Sequence, residues 1–162
     1  MIDPTILCAE DCQACRRCCR FDPDEIGDAP AFTEEQKERI LREFGDQTAK
    51  FSQRGKLWQV QLFSAGSANY ECPFFDSKHG LCRVHSYCII DCLTWPFYVM
   101  ADGERLVIAL SRDCPVVSAK DQVLVLDFAH RILAPMMHSL IERYPDLVTK
   151  LHGNVEILFT LD

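Results

Sequence analysis

The chain is expected to fold as an α+β protein. It reads as one small domain over residues 1–162, with a small antiparallel sheet and two or three helices around a cysteine-rich, metal-binding loop core. Three observations predict this. Residues 34–44 repeat apolar positions at helical spacing behind a capping sequence. Two strand-like runs flank Asp102-Gly103. The 10 cysteines fall mostly outside both patterns, five of them within Cys8–Cys19. At roughly 150 residues per domain, 162 residues make one domain. A hydrophobic share of 48% and a charged share of 25% exclude a wholly disordered chain.

The elements follow in order. Residues 1–23 form a Cys- and Arg-rich N-terminal segment. Residues 22–31 read as loop, because two prolines and a glycine break any period. Thr33 is placed as an N-cap, with Gln36 at the capping-box position and Glu34 and Glu35 in the first turn. The helix over 34–44 then buries Ile40, Leu41 and Phe44, and Gly45 stops it. Trp58, Val60 and Leu62 alternate as one face of a half-buried strand over 57–63. Residues 64–94 read as irregular. Phe97–Ala101 and Arg105–Leu110 form the hairpin around Asp102-Gly103. Ser118 and Asp121 cap a helix running towards Leu133, and Pro135 kinks or ends it. A further helical stretch covers 136–143 and closes at Pro145. Val155, Ile157 and Phe159 alternate in a late strand.

Charge and segments bound the partners. With 17 Lys+Arg against 24 Asp+Glu the net charge is −7, which does not suit a nucleic-acid binder. The longest strongly apolar stretch, Val123–Ala129, is interrupted by Asp127 and falls short of the roughly 18 residues of a membrane span. Met-Ile-Asp-Pro-Thr has no basic or apolar signal region, so the expected compartment is the cytosol. There thiols stay reduced or bind metal. Nucleic acid and membrane are therefore not expected as partners, and a protein partner is left open.

Cys12-Gln-Ala-Cys15-Arg-Arg-Cys18-Cys19 is the sharpest signal. Two residues between thiolates let a tight turn aim both sulfurs at one centre. Three such thiolates with a remote Cys-Pro, here Cys114-Pro115, suit an iron–sulfur cluster of the [4Fe–4S] kind. The same set suits tetrahedral zinc at about 2.3 Å from each sulfur. Adjacent side chains diverge, so one of Cys18 and Cys19 serves a different centre or none. Cys72, Cys82, Cys88 and Cys92 follow, and Cys82-Arg-Val-His85 has C-x2-H spacing. One centre is assigned to Cys12, Cys15, Cys18 and Cys114. Cys19, Cys72, Cys82 and Cys92 are left for a second centre or for exchange with the first. Arg16, Arg17 and Arg20 either favour the thiolate form or simply face solvent. Against metal stand five disulfides in an exported chain, and Cys8 and Cys88 as small core residues.

These stretches resemble the family of zinc- or iron-chelating proteins named for its C-x2-C-x2-C-C motif. Some of its relatives are described as flagellin lysine N-methylases. The first match is Cys12–Cys19. The second is Cys72-Pro-Phe-Phe, then Gly80-Leu-Cys82-Arg-Val-His85, then Cys92-Leu-Thr-Trp-Pro-Phe97, with the late Cys114-Pro115. The resemblance spans residues 12–115 and implies eight shared cysteines: Cys12, Cys15, Cys18, Cys19, Cys72, Cys82, Cys92 and Cys114. The chain departs from the pattern at Cys88-Ile89, where the family has Arg-Pro, and at Leu93, where it has Arg. Either departure alters charge balance or substrate contact.

Other chemistries are weaker. Cys8, Cys12 and Cys15 have the C-x3-C-x2-C spacing of radical S-adenosylmethionine enzymes, but only seven residues precede Cys8 and the chain is short for a barrel. No G-x-G-x-x-G, phosphate-binding loop, G-x-S-x-G or H-E-x-x-H is present. His85 is weighed as a ligand against a plain surface or core histidine; His79, His130, His138 and His152 read as packing, exposed or capping residues. The function expected is cysteine-ligated metal binding, iron–sulfur or zinc, with no catalytic residues assigned. The alternatives are a lysine-methylating enzyme dependent on S-adenosylmethionine and a thiol redox switch, favoured by vicinal Cys18-Cys19 and by the spare thiols Cys8 and Cys88.

Overall fold

The computed structural model describes residues 6–87 and 90–161, with Ala9 and Cys92 described by their backbone alone. The chain is α+β, and it divides into two compact units. One spans Cys12–Leu93; the other joins the residues before Cys12 to those from Thr94 onward.

In the unit spanning Cys12–Leu93, helix α1 (Ala9–Cys15) leads into a 3-10 turn (Arg17–Cys19) and strand β1 (Arg20–Phe21). The stretch read as loop holds a 3-10 helix, Pro23–Asp28. Its cause is local: Asp22 and Glu25 form a reciprocal capping box, with proline in the first turn. Strand β2 (Ala31–Phe32) precedes helix α2 (Glu34–Phe44), which has the expected Thr33–Gln36 capping box and ends at Gly45 with φ 88. Strands β3 (Phe51–Arg54) and β4 (Leu57–Val60) complete a three-stranded antiparallel sheet in the order β2-β4-β3.

In β4 the buried residues are Leu57 and Val60, not the alternating Trp58–Val60–Leu62 set. Trp58 is covered instead by polar side chains of α2: Lys37 Nζ sits 3.4 Å from its ring centroid, and its indole N–H donates to Glu34. Strands β5 (Phe63–Ser64) and β6 (Tyr70–Glu71) join β1 in the order β1-β6-β5, and β7 (Phe75–Asp76) pairs with β8 (Leu81–Cys82). Helix α3 (Ile90–Thr94) closes the region read as irregular. The core of this unit gathers Phe21, Phe32, Ile40, Val60, Cys72, Phe74 and Val84, with Phe32 edge-on to Phe51 at 5.4 Å and to Phe74 at 5.8 Å.

The other unit is built on the expected hairpin. Strands β9 (Phe97–Asp102) and β10 (Arg105–Ser111) pair antiparallel, with Gly103 at φ 64 in the turn. Helices α4 (Pro115–Ser118), α5 (Gln122–Phe128) and α6 (Ala134–Arg143) follow, then β11 (Thr149–Lys150) and β12 (Val155–Thr160). The sheet order is β11-β9-β10-β12, with β11 parallel to β9 and the other pairs antiparallel. Asp121 caps α5 through Val123 N–H at 2.8 Å, whereas Ser118 ends α4.

Pro135 neither ends nor breaks the helix. A π-turn (Ala129–Leu133) absorbs it: Ala134 N–H donates to Ala129 C=O, and the proline, which has no N–H, sits in the first turn of α6. The resulting stretch Gln122–Arg143 is 22 residues long, enough by length and composition alone to cross a membrane. Its buried stripe of Val125, Ala129, Leu133 and Met137 recurs every fourth residue and joins the core of Phe97, Ile108 and Leu110. The late strand is present, but a bulge lies at Ile108/Ala109, where Phe159 and Ile157 are the successive partners and Leu158 is left over. The bulge breaks the alternation and leaves Ile157 43% exposed.

Candidate metal centre

Two stretches of chain bring thiols together in the unit spanning Cys12–Leu93. In the first, α1 ends at Cys15, and Arg16 turns the backbone into the left-handed region at φ 58. Its N–H donates to Cys12 C=O at 2.8 Å, so the chain reverses over the helix end and sets Cys18 and Cys19 in the 3-10 turn. The second stretch is tied to the first by backbone. β1 pairs with β6, Arg20 opposite Glu71, and the Cys72 N–H donates to Cys19 C=O at 3.0 Å. Phe75 N–H donates to Cys72 C=O at 3.0 Å and Arg83 N–H to Phe74 C=O at 2.9 Å. This folds β7 and β8 back so that Cys82 returns beside Cys72.

The thiols sense one another. Cys18 is hydrogen-bonded to Cys12, which pulls its pKa down; the Cys19 hydrogen bond, burial and the charges of Cys19 and Cys82 outweigh this and drive it far above the ordinary thiol value. Burial pushes Cys72 up to about 12, and Cys82 and Cys18 add to the rise. Cys82 is also raised, first by burial and then by Cys12. Cys12, Cys18, Cys19, Cys72 and Cys82 are thus one electrostatically coupled group. Cys18, Cys72 and Cys82 resist ionising because their neighbours would share the same low-dielectric space. A multivalent cation reverses that balance, since it binds thiolates and releases their protons.

Three features already favour thiolates. The Phe74 N–H is hydrogen-bonded to the Cys72 sulfur, and the Val84 and His85 N–H groups to that of Cys82. The Arg83 guanidinium lowers the pKa of both Cys72 and Cys82. Arg83 is held by its own bond to Pro73 C=O at 2.6 Å. In kind, then, the donors fit a thiophilic metal: buried and half-buried thiols, backbone N–H groups aimed at two of them and one guanidinium. As the side chains stand, no three of the described Cys, His, Asp or Glu residues form a group that could hold an ion.

The arginines singled out in the sequence have other partners. Arg17 binds Glu25 at 2.6 Å and Arg20 binds Glu71 at 3.1 Å, so both staple the turn to its surroundings. The guanidinium near the sulfurs is Arg83. Sequence reasoning missed it although it follows Cys82 directly; its approach to Cys72 comes from the β7–β8 fold.

The remaining cysteines and histidines are placed as follows. Cys15 is half-buried on α1. Cys92 lies in α3, its side chain outside the described residues, and Cys88 lies outside them altogether. Cys114 belongs to the other unit, buried in the core with Phe97, Leu110 and Val117. Cys8 is exposed, its N–H on Asp11 at 3.1 Å. The eight described cysteines Cys8, Cys12, Cys15, Cys18, Cys19, Cys72, Cys82 and Cys114 are thiols, not disulfides. The His85 side chain is exposed although its N–H reaches Cys82. His130 stacks on Phe159 at 3.7 Å between centroids, and His79 Nδ1 lies 2.7 Å from Asp76.

Comparison with protein-family models, with curated proteins and with solved structures finds no match in any of the three.

Proposed function

We propose that this chain is a metal-binding protein whose cysteines hold an iron–sulfur cluster or a zinc ion. One observation carries the reading: five buried or half-buried thiols from two separate stretches of chain form one coupled group within a single unit. In this reading Cys12, Cys18, Cys19, Cys72 and Cys82 are the donor pool, and the side chains close on the metal as it binds. When bound, the metal supplies either electron transfer, as a cluster, or a cross-link between the two stretches, as zinc. The chain's own contribution is to exclude water, to aim N–H groups at Cys72 and Cys82, and to hold the Arg83 charge beside them. The C-x2-C-x2-C-C resemblance points the same way.

Serine substitution tests the assignment. Cys18→Ser or Cys72→Ser is expected to abolish near-stoichiometric metal in anaerobically purified protein, and Cys8→Ser to leave it unchanged. Retained metal in both of the first two variants sinks the donor pool.

A thiol redox switch is the second reading, favoured by the direct Cys12–Cys18 hydrogen bond. Reversible two-electron oxidation of metal-free protein, with a Cys12–Cys18 disulfide found by peptide mapping, is its expected signature. The lysine-methylase alternative predicts calorimetric heat on adding S-adenosylmethionine, and the metal reading predicts none in the absence of substrate protein.

A further inference from the structure

Arg16 stands between the two thiol-bearing stretches. Its backbone is left-handed at φ 58, a costly conformation for a residue other than glycine. Its Nε donates to Gln13 C=O at 3.1 Å, which folds the side chain back across the end of α1. The guanidinium then rests on Gly80. A Cβ built at Gly80 would lie 2.6 Å from Arg16 Nη2 and 2.8 Å from its Cζ and Nε. Gly80 itself is buried, at φ 68, and its N–H donates to Asp76 C=O at 2.7 Å. It closes the turn between β7 and β8, two residues before Cys82. Among the described residues Arg17 and Arg20 each pair with a carboxylate, whereas Arg16 pairs with none and spends its side chain on backbone.

We propose that Arg16 is a positioning residue. Seated on Gly80, it latches the Cys12–Cys19 stretch to the β7–β8 turn, and so holds Cys12 and Cys18 in register with Cys72 and Cys82. Only glycine leaves room for this seat, and only a side chain that is both long and planar spans from the αL turn to it while keeping the Gln13 bond. The inference rests on the metal-binding reading for its consequence, but the latch itself concerns only the spacing of thiols.

The test uses reduced, metal-free full-length chain titrated with cobalt(II), whose thiolate charge-transfer absorption reports sulfur ligation. Arg16→Ala and Gly80→Ala are each expected to weaken cobalt binding roughly 10–100-fold, as loss of an outer support does at metal sites. Both remove one contact, so the double variant is expected to bind no more weakly than the weaker single. Unchanged affinity in Arg16→Ala, or losses that multiply in the double variant, overturns the latch. Arg16→Ala decides alone if Gly80→Ala does not fold.

A second readout needs no metal. Labelling of the thiols by an aromatic disulfide, followed by peptide mapping, is expected to be several-fold faster at Cys18 and Cys72 in Arg16→Ala than in the wild type. Equal rates overturn the latch. If the wild type takes up no cobalt while labelling accelerates as expected, the latch stands and the metal-binding reading falls.

Discussion

Asp91 is half-buried and accepts a hydrogen bond from the Ala31 N–H, which ties the start of α3 to β2. Burial raises its pKa from 3.8 to about 6, against the pull of the Ala31 bond and of Arg54. The folded value lies above the unfolded one, so the folded state holds the proton more tightly. This residue's contribution to stability is therefore complete below about pH 4 and is lost as pH rises through about 6. Asp91→Asn keeps an acceptor for Ala31 and removes the charge. It is expected to stabilise the fold by about 1–3 kcal/mol at pH 7 and to change little at pH 4. Urea unfolding at the two pH values checks this; an Asn variant less stable at pH 7 contradicts the burial account. Nothing in the sequence around Asp91 announced this burial, because the partner lies sixty residues away. The arginines were equally opaque. A run of Cys and Arg says that charge and thiol are close in sequence, but Arg17 and Arg20 take carboxylates and the Cys72 and Cys82 thiols take Arg83.

Elements governed by local chemistry were legible; those governed by distant partners were not. The ends of helix α2 were readable to the residue, because its cap, its first-turn carboxylates and its terminal glycine all act within a few positions; of the expected Ile40, Leu41 and Phe44, Ile40 is buried and the other two are half-buried. Thr33→Ala is expected to cost about 1 kcal/mol, read as a lower urea midpoint at unchanged slope. The hairpin of β9 and β10 was readable for the same reason. Strand β12 was placed but its faces were not, since the bulge depends on how it meets β10. Pro135 was expected to end or kink a helix; the π-turn lets the ladder skip one residue and keep Leu133 in the core. Leu133 is fully buried, and Leu133→Ala is expected to cost about 2–5 kcal/mol by leaving a cavity. A loss much smaller than that would mean that the π-turn region is not packed as described.

At the scale of the molecule the α+β class was legible, but its sheet was not. Where one small antiparallel sheet was expected, the described residues form four, and one carries a parallel edge pair. Two-residue strands leave no periodic trace, yet β1 and β6 are what bring Cys19 to Cys72. The cysteine motifs pointed to thiols, and five of the cysteines they named lie in one coupled group. Which cysteines of the Cys12–Leu93 unit meet was a matter of topology, since the β1–β6 pairing and the Cys72–Cys19 backbone bond join its two thiol-bearing stretches. If metal closes the Cys12–Cys82 group, it contributes to folding. Removal of metal by a chelator under reducing conditions is then expected to lower Tm and to expose Cys18 and Cys72 to labelling, while Cys114 stays protected.

The most direct measurement is the iron, zinc and acid-labile sulfide content per chain of anaerobically purified wild-type protein, with its visible absorption spectrum. Near-stoichiometric zinc, or iron with sulfide and a broad visible band, is the predicted result, and the choice between them fixes which metal the thiols hold. Protein that is colourless, lacks both metals and gains neither on reconstitution contradicts the account.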